Sequence, residues 1–178
     1  MLILRDVLGW SAAETAELLD TTVTAVNSAV RRARPVVRRH LPTHRLEGAD
    51  DERALVERYM RALASADDAA LAELLREDVR VSQEPGAGGN APEAAAWYAG
   101  RDAVLAAWAP ALDGLEWRFI VTAANRQPAL GVYVRPIGTA GDFRAFGLTV
   151  LRIEEGRVAE VTVFSSDVFE DFELPSKI

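Results

Sequence analysis

The sequence predicts two domains, an all-α helix-turn-helix head followed by an α+β body with a curved antiparallel sheet. Three observations predict them. Between Ser11 and Arg34 two short helical patterns flank a polar turn, which is the layout of a helix-turn-helix. From about Asp50 onward, three helical patterns give way to long strands separated by short turn signals. The charge also divides between the two parts. Residues 1–46 hold seven arginines against four acids, a net of +3, while the remainder has 13 basic and 23 acidic residues, a net of −10 within the chain's −7. A basic head on an acidic body suits a nucleic-acid reader joined to a part that does not touch nucleic acid.

The bulk properties bound the function. With 178 residues there is room for one domain or two small ones, and 49% apolar residues are enough for a core. The chain has no cysteine, which excludes disulfides and cysteine-based metal sites. No apolar run approaches the ~20 residues of a membrane span, and no secretory leader pattern opens the chain. The expectation is a soluble cytoplasmic protein with no membrane partner and no cofactor.

The head's elements follow in order. Met1 to Trp10 reads as the tail of an apolar helix, with Gly9 as its C-terminal cap. The next helix opens at Ser11, where Glu14 completes a capping box, and Ala12, Ala16 and Leu19 form a narrow apolar stripe. Asp20-Thr21-Thr22 breaks that pattern with turn-forming residues. A second helix is expected from about Thr22 to about Arg34. Val23, Val26, Val30 and Ala33 share one face of it, and Thr24, Asn27, Ser28 and Arg31 share the opposite one. Short hydrogen-bonders near the N-terminus can meet base edges, and arginines near the C-terminus can read guanine or hold phosphate. On spacing alone, an ordinary amphipathic helix with a solvated face fits as well.

The run Leu4 to Arg34 closely resembles region 4.2 of sigma-70 family transcription factors of the extracytoplasmic-function (ECF) group. The residues that carry the resemblance are Leu4-Arg5 and Gly9, then Ser11, Glu14, Ala16 and Leu19, then Val26-Asn27-Ser28 and Arg32-Ala33-Arg34. It implies contact with the −35 promoter element and with RNA polymerase core. The DNA-contacting set would be Thr22, Thr24, Asn27, Ser28, Arg31, Arg32 and Arg34. The family's N-terminal domain has no counterpart ahead of Met1, so the chain reads as a fragment, a mis-assigned start or a truncated relative.

Residues 1–40 are thus assigned to the head, 41–50 to a linker and 51–175 to the body. Pro35 and Pro42 punctuate the junction, and the helix either kinks and continues past Pro35 or stops there. The junction's basic residues, Arg38, Arg39, His40, His44 and Arg45, either add phosphate contacts or form a solvated linker. The histidine pair has no third ligand beside it, so no metal site is expected.

In the body, a helix is expected over Asp50 to Ala66, with Leu55, Tyr59, Leu63 and Ala66 on one face. Another should run from Ala69 to about Arg76. Val79 to Gln83 alternates as a strand, and Glu84 to Pro92 reads as a loop without a phosphate-cradling glycine pattern. Glu93 to Leu112 reads as a third helical region that restarts near Arg101. Strands are expected over Glu116 to Ala124, Pro128 to Pro136, Asp142 to Glu154 and Arg157 to Ser166, with turns at Asn125-Arg126-Gln127, Gly138 to Gly141 and Glu155-Gly156.

This order, with W-Y-A-G-R-D-A-V at Trp97 to Val104, N-R-Q-P-A-L-G-V-Y at Asn125 to Tyr133 and the closing V-T-V-F and F-E-L-P, resembles a SnoaL-like domain of the nuclear transport factor 2 superfold. The resemblance implies a cone-shaped half barrel around a pocket, with the chance of a small-molecule ligand and of a homodimer through this domain. Some relatives are cyclases or isomerases that use a pocket Asp or Asp–His pair, whereas this domain has no histidine. Its best candidate base is Asp167, which reads more simply as an exposed strand-end residue. Tyr59, Trp97, Trp108, Trp117, Phe119, Tyr133, Phe146 and Phe164 are the pocket candidates, set against the simpler reading that most are core. Three functions follow: a sigma-type regulator, a cyclase- or isomerase-type enzyme with a vestigial DNA-binding tail, and a non-catalytic interaction module. The first is preferred, and no catalytic residue is assigned.

Overall fold

The computed structural model describes residues 1–6, 8–40, 49–89, 95–112 and 114–178. At residues 37–40 the backbone alone is described. The linker and junction readings at 41–48 therefore lie outside the described residues. So do Val7, the end of the glycine loop and the first residues of the third helical region. Two units form by internal packing, Met1–Arg45 and Leu46–Ile178.

Among its described residues the first unit has three helices, α1 (Leu2–Asp6), α2 (Ala12–Leu18) and α3 (Val23–His40). The capping box sets the start of α2. The Glu14 backbone N–H donates to Ser11 Oγ at 3.1 Å, and the Ser11 N–H donates to Glu14 Oε2 at 2.7 Å. Thr22 starts α3 in the same way, its Oγ1 accepting from the Ala25 N–H at 3.1 Å. The small side chains of Ala12 and Ala16 let α3 approach, and Val26 and Val30 fill the contact. Val23 stays 45% exposed, so the buried stripe on α3 is narrower than its spacing suggested. The helix carries on through Pro35 to His40, which decides between the two readings left open at that residue.

The second unit contains α4 (Ala49–Ala64), α5 (Asp68–Leu74), β1 (Leu75–Gln83), β2 (Ala96–Ala99), α6 (Arg101–Leu112), β3 (Leu115–Ala124), β4 (Gln127–Pro136), β5 (Arg144–Glu154) and β6 (Arg157–Phe164). A 3-10 segment, Ser166–Phe172, follows. The six strands form one sheet in the order β2-β1-β6-β5-β4-β3.

Three expectations are corrected. The sheet is mixed rather than antiparallel throughout, because β1 runs parallel to β6, with Val81 opposite Val161. Strand direction depends on how the chain returns to the sheet, which alternation does not encode. The start of the third helical region, Ala96–Ala99, is a strand paired with β1, and the helix begins only at Arg101. Ala66 does not join the face of α4. It sits exposed beyond the helix with φ 48°, and Ala62 closes the buried stripe instead.

The β3–β4 and β5–β6 hairpins turn in two residues, Asn125-Arg126 and Glu155-Gly156, all with positive φ as a type I′ turn needs. Register shifts interrupt three of the ladders, at Leu75/Arg80, Val132/Tyr133 and Arg152/Ile153. Such bulges bend a sheet. One face packs against α4, α5 and α6 around Tyr59, Leu71, Val104 and Leu151. The other packs under Phe169 and Leu174 of the C-terminal segment, around Tyr133 and Leu148. This two-sided cover explains why the middles of β4 and β5 are buried without alternation.

Candidate nucleic-acid interface and cavity

In the first unit, burial of Val26 and Val30 fixes which way α3 faces. Thr24, Asn27 and Arg31 then fall on the opposite, exposed stripe, with Ser28 half-buried beside them and Arg32 exposed on its flank. Thr22 is exposed as well, but its hydroxyl oxygen is occupied as the cap of α3. Arg34 is held within the unit. Its Nε donates to Asp6 Oδ2 at 3.0 Å and its Nη2 to Asp6 Oδ1 at 2.7 Å, a two-pronged pair tying α3 to α1. Those hydrogen bonds hold the Asp6 carboxyl below its ordinary range. Asp6 was missed in the sequence because its partner lies 28 residues away, beyond any helical spacing.

In the second unit a cavity opens between the helices and the sheet. Tyr59 comes from α4, Trp108 from α6, Trp117 from β3 and Phe146 from β5. Its volume is about 70 Å³. Trp117 and Phe146 meet edge to face, with ring centroids 5.3 Å apart. Leu63, Val132, Val161 and Val163 add apolar wall, and Gln83 and Thr149 add an uncharged amide and hydroxyl. Burial pushes the Tyr59 hydroxyl well above its ordinary pKa, so it stays protonated. Among the described residues the buried Trp117 indole N–H has no hydrogen-bond partner.

Five candidates lie elsewhere. Trp97 stands 77% exposed on β2. Tyr133 points to the opposite face of the sheet from Val132, as strand alternation requires, and packs on Phe169 at 5.4 Å. Phe164 sits in that same outer cluster. Phe119 lines a separate groove with Met60 and Arg61. Asp167 is exposed on the 3-10 segment, where its carboxylate accepts from Ser165 Oγ at 2.9 Å. Gln83 and Thr149 were missed because they are ordinary strand residues, and which face of the sheet the helices cover decides that they look toward the cavity. Among the described residues no group of three or more acids or histidines gathers as a metal site, and no helix is long and apolar enough to cross a membrane.

Residues 56–161, more than half of the chain, match the SnoaL-like domain. The chain belongs to the SnoaL-like family. The segment ahead of this SnoaL-like body, residues 1–34, matches sigma-70, region 4. Over its whole length the chain is 34% identical to the ECF RNA polymerase sigma factor SigG of Mycobacterium tuberculosis, of which it covers 47%. It thus spans about half the length of the sigma factor it matches. Two solved structures share the fold. An NTF2-like protein from Mesorhizobium loti is 18% identical, with TM-score 0.54 over 68% of this chain and 96% of that one. The Mycobacterium tuberculosis ECF sigma factor SigJ is 23% identical, with TM-score 0.54 over 98% of this chain and 60% of that one.

Proposed function

We propose that this chain serves in transcription initiation as the promoter-reading and regulatory part of an ECF-type sigma factor. The observation that carries the reading is the outward stripe of α3, Thr24, Asn27 and Arg31, in a segment that matches sigma-70, region 4. The stripe enters the major groove at the −35 element. There Asn27 pairs with a base edge, while Arg31 and Arg32 take guanine or phosphate. Arg34 acts through Asp6 to hold α3 against α1, in place of the DNA contact its position suggested. The partners are promoter DNA and RNA polymerase core, and the working compartment is the cytoplasm. The SnoaL-like body is the regulatory part, responding to a small molecule in its cavity or to a second copy of the chain. It is not an enzyme in this reading. The described residues lining the cavity include no Asp, Glu, His or Lys to move a proton, and Tyr59 is held protonated.

The test is a selection of duplexes bound by the full chain from a random DNA library, followed by titration of the selected duplex. Asn27→Ala should weaken binding by about 1–3 kcal/mol and relax preference at one base position, as loss of a two-pronged base contact does. Unchanged affinity in both Asn27→Ala and Arg31→Ala would refute the docking.

A further inference from the structure

We infer that the outer edge of β3, with the groove between β3 and α4, docks an extended segment of a protein partner. The segment adds to the sheet as a further strand, with apolar side chains at alternate positions and a carboxylate between them. This docking stands whether or not the first unit reads promoter DNA.

β3 closes the sheet on one side, and among the described residues no strand pairs with its outer edge. The backbone N–H and C=O groups along such an edge are a template for another extended chain. Proteins commonly blunt their edges with short strands, bulges, proline or lysine. The opposite edge, β2, is only four residues long. β3 has ten residues, pairs with β4 from Leu115 to Ala124 without a register shift, and contains neither proline nor lysine. Its second half, Phe119 to Ala124, carries no charge.

The side chains beside this edge select the occupant. Phe119 lies opposite Val132 and Val121 opposite Leu130, both in the core under the helices, so Trp117, Phe119 and Val121 share that face by alternation. Trp117 and Phe119 line the groove with Met60 and Ala64 of α4. Val121 continues the row and is 58% exposed. A strand laid along β3 puts every second side chain over this row, where apolar groups fit. Charge sets the positions between. Arg61 and Arg118 line the groove with one acid, Glu57. Arg61 Nε donates to the Glu57 carbonyl oxygen at 3.4 Å. Arg118 Nη1 donates to the Trp117 carbonyl oxygen at 3.1 Å, and its Cζ lies 5.0 Å from the Phe143 ring centre. None of these contacts is to a carboxylate, so an acid on the incoming strand completes an ion pair with Arg118. The β3 of a second copy does not supply one. Its single acid, Glu116, already accepts from Arg135 Nη2 at 2.7 Å.

The experiment uses the full ¹⁵N-labelled chain and three capped peptides. The probe is acetyl-Thr-Val-Asp-Val-Thr-Val-Thr-amide. One control replaces Asp by Lys. The other is methylated at every backbone nitrogen, which keeps the side chains and removes the backbone donors. The probe should bind saturably and slow hydrogen exchange at alternate β3 amides, those that point away from β4. Both controls should bind more weakly. Val121→Lys, a change at an exposed site, should weaken the probe about ten-fold through lost apolar burial. Arg118→Glu should reverse the preference, so that the Lys peptide binds more tightly than the Asp peptide. If Arg118→Glu does not fold, Val121→Lys and the three peptides on the unaltered chain decide. A probe that does not bind, or binds without slowing exchange in β3, overturns the proposal. Equal binding of the Asp and Lys peptides overturns it, as does equal binding of the methylated one. So does slowed exchange at the same amides that grows with protein concentration when no peptide is present, because the occupant is then a second copy.

Discussion

Ser11 and Asp6 show how single side chains hold the first unit together. Ser11 satisfies a backbone N–H that the first turn of α2 leaves open, and Glu14 returns the favour to Ser11. Ser11→Ala should lower the stability of this unit by about 1 kcal/mol, measured by urea unfolding followed through helical circular dichroism. Asp6 makes a pH-dependent contribution. Its carboxyl is held below the ordinary 3.8 by the hydrogen bonds from Arg34. A group whose folded pKa is depressed contributes stability that is full above its unfolded value and is lost as pH falls through the folded one. The first unit should therefore weaken in acid below about pH 3.8, and Asp6→Asn should remove that part of the acid dependence while lowering stability at neutral pH. An acid limb identical in the two proteins would show that the pair contributes nothing measurable.

Among the elements, the pairing of β5 with β6 leaves no room for a side chain at Gly147. A Cβ on Gly147 would lie 2.7 Å from the Phe164 carbonyl oxygen, a backbone atom that cannot swing aside. Gly147→Ala should destabilise the second unit by about 1–3 kcal/mol, the usual cost of overpacking, and should perturb the Trp117 environment, because Gly147 lines the same cavity. Thermal unfolding and tryptophan fluorescence check the two effects. At α3 the deciding feature is the contact of Val26 and Val30 with α2. That contact sets the rotation of the helix, so the exposed stripe is a consequence of core packing and not only of its own composition.

For the whole molecule the uneven charge matters most. The net +3 of residues 1–46 sits in a chain of net −7, so DNA binding should come from the first unit alone and should depend steeply on salt. Each phosphate contact contributes a slope of about −0.9 in log affinity against log salt. Arg31→Ala should lower the slope by about one unit if Arg31 holds a phosphate. Anisotropy titrations at several ionic strengths measure the slope.

Local chemistry determined much of this protein from the sequence by itself. The capping box at Ser11, the turns that begin at Asn125 and Glu155 and the alternation of Val79 to Gln83 depend on neighbours a few residues apart, so spacing reveals them. The residues that carry the two family resemblances also lie in continuous runs. Tertiary structure decided the rest. The parallel pairing of β1 with β6, the strand at Ala96–Ala99 and the tie between Asp6 and Arg34 join residues that are far apart in the chain. Composition marked aromatics as cavity candidates, but Tyr133 and Phe164 face the other side of the sheet, and Trp97 faces solvent. Which of two alternating side chains looks inward depends on which face the helices cover. That choice comes from packing the whole unit, and no strand carries it in its own sequence.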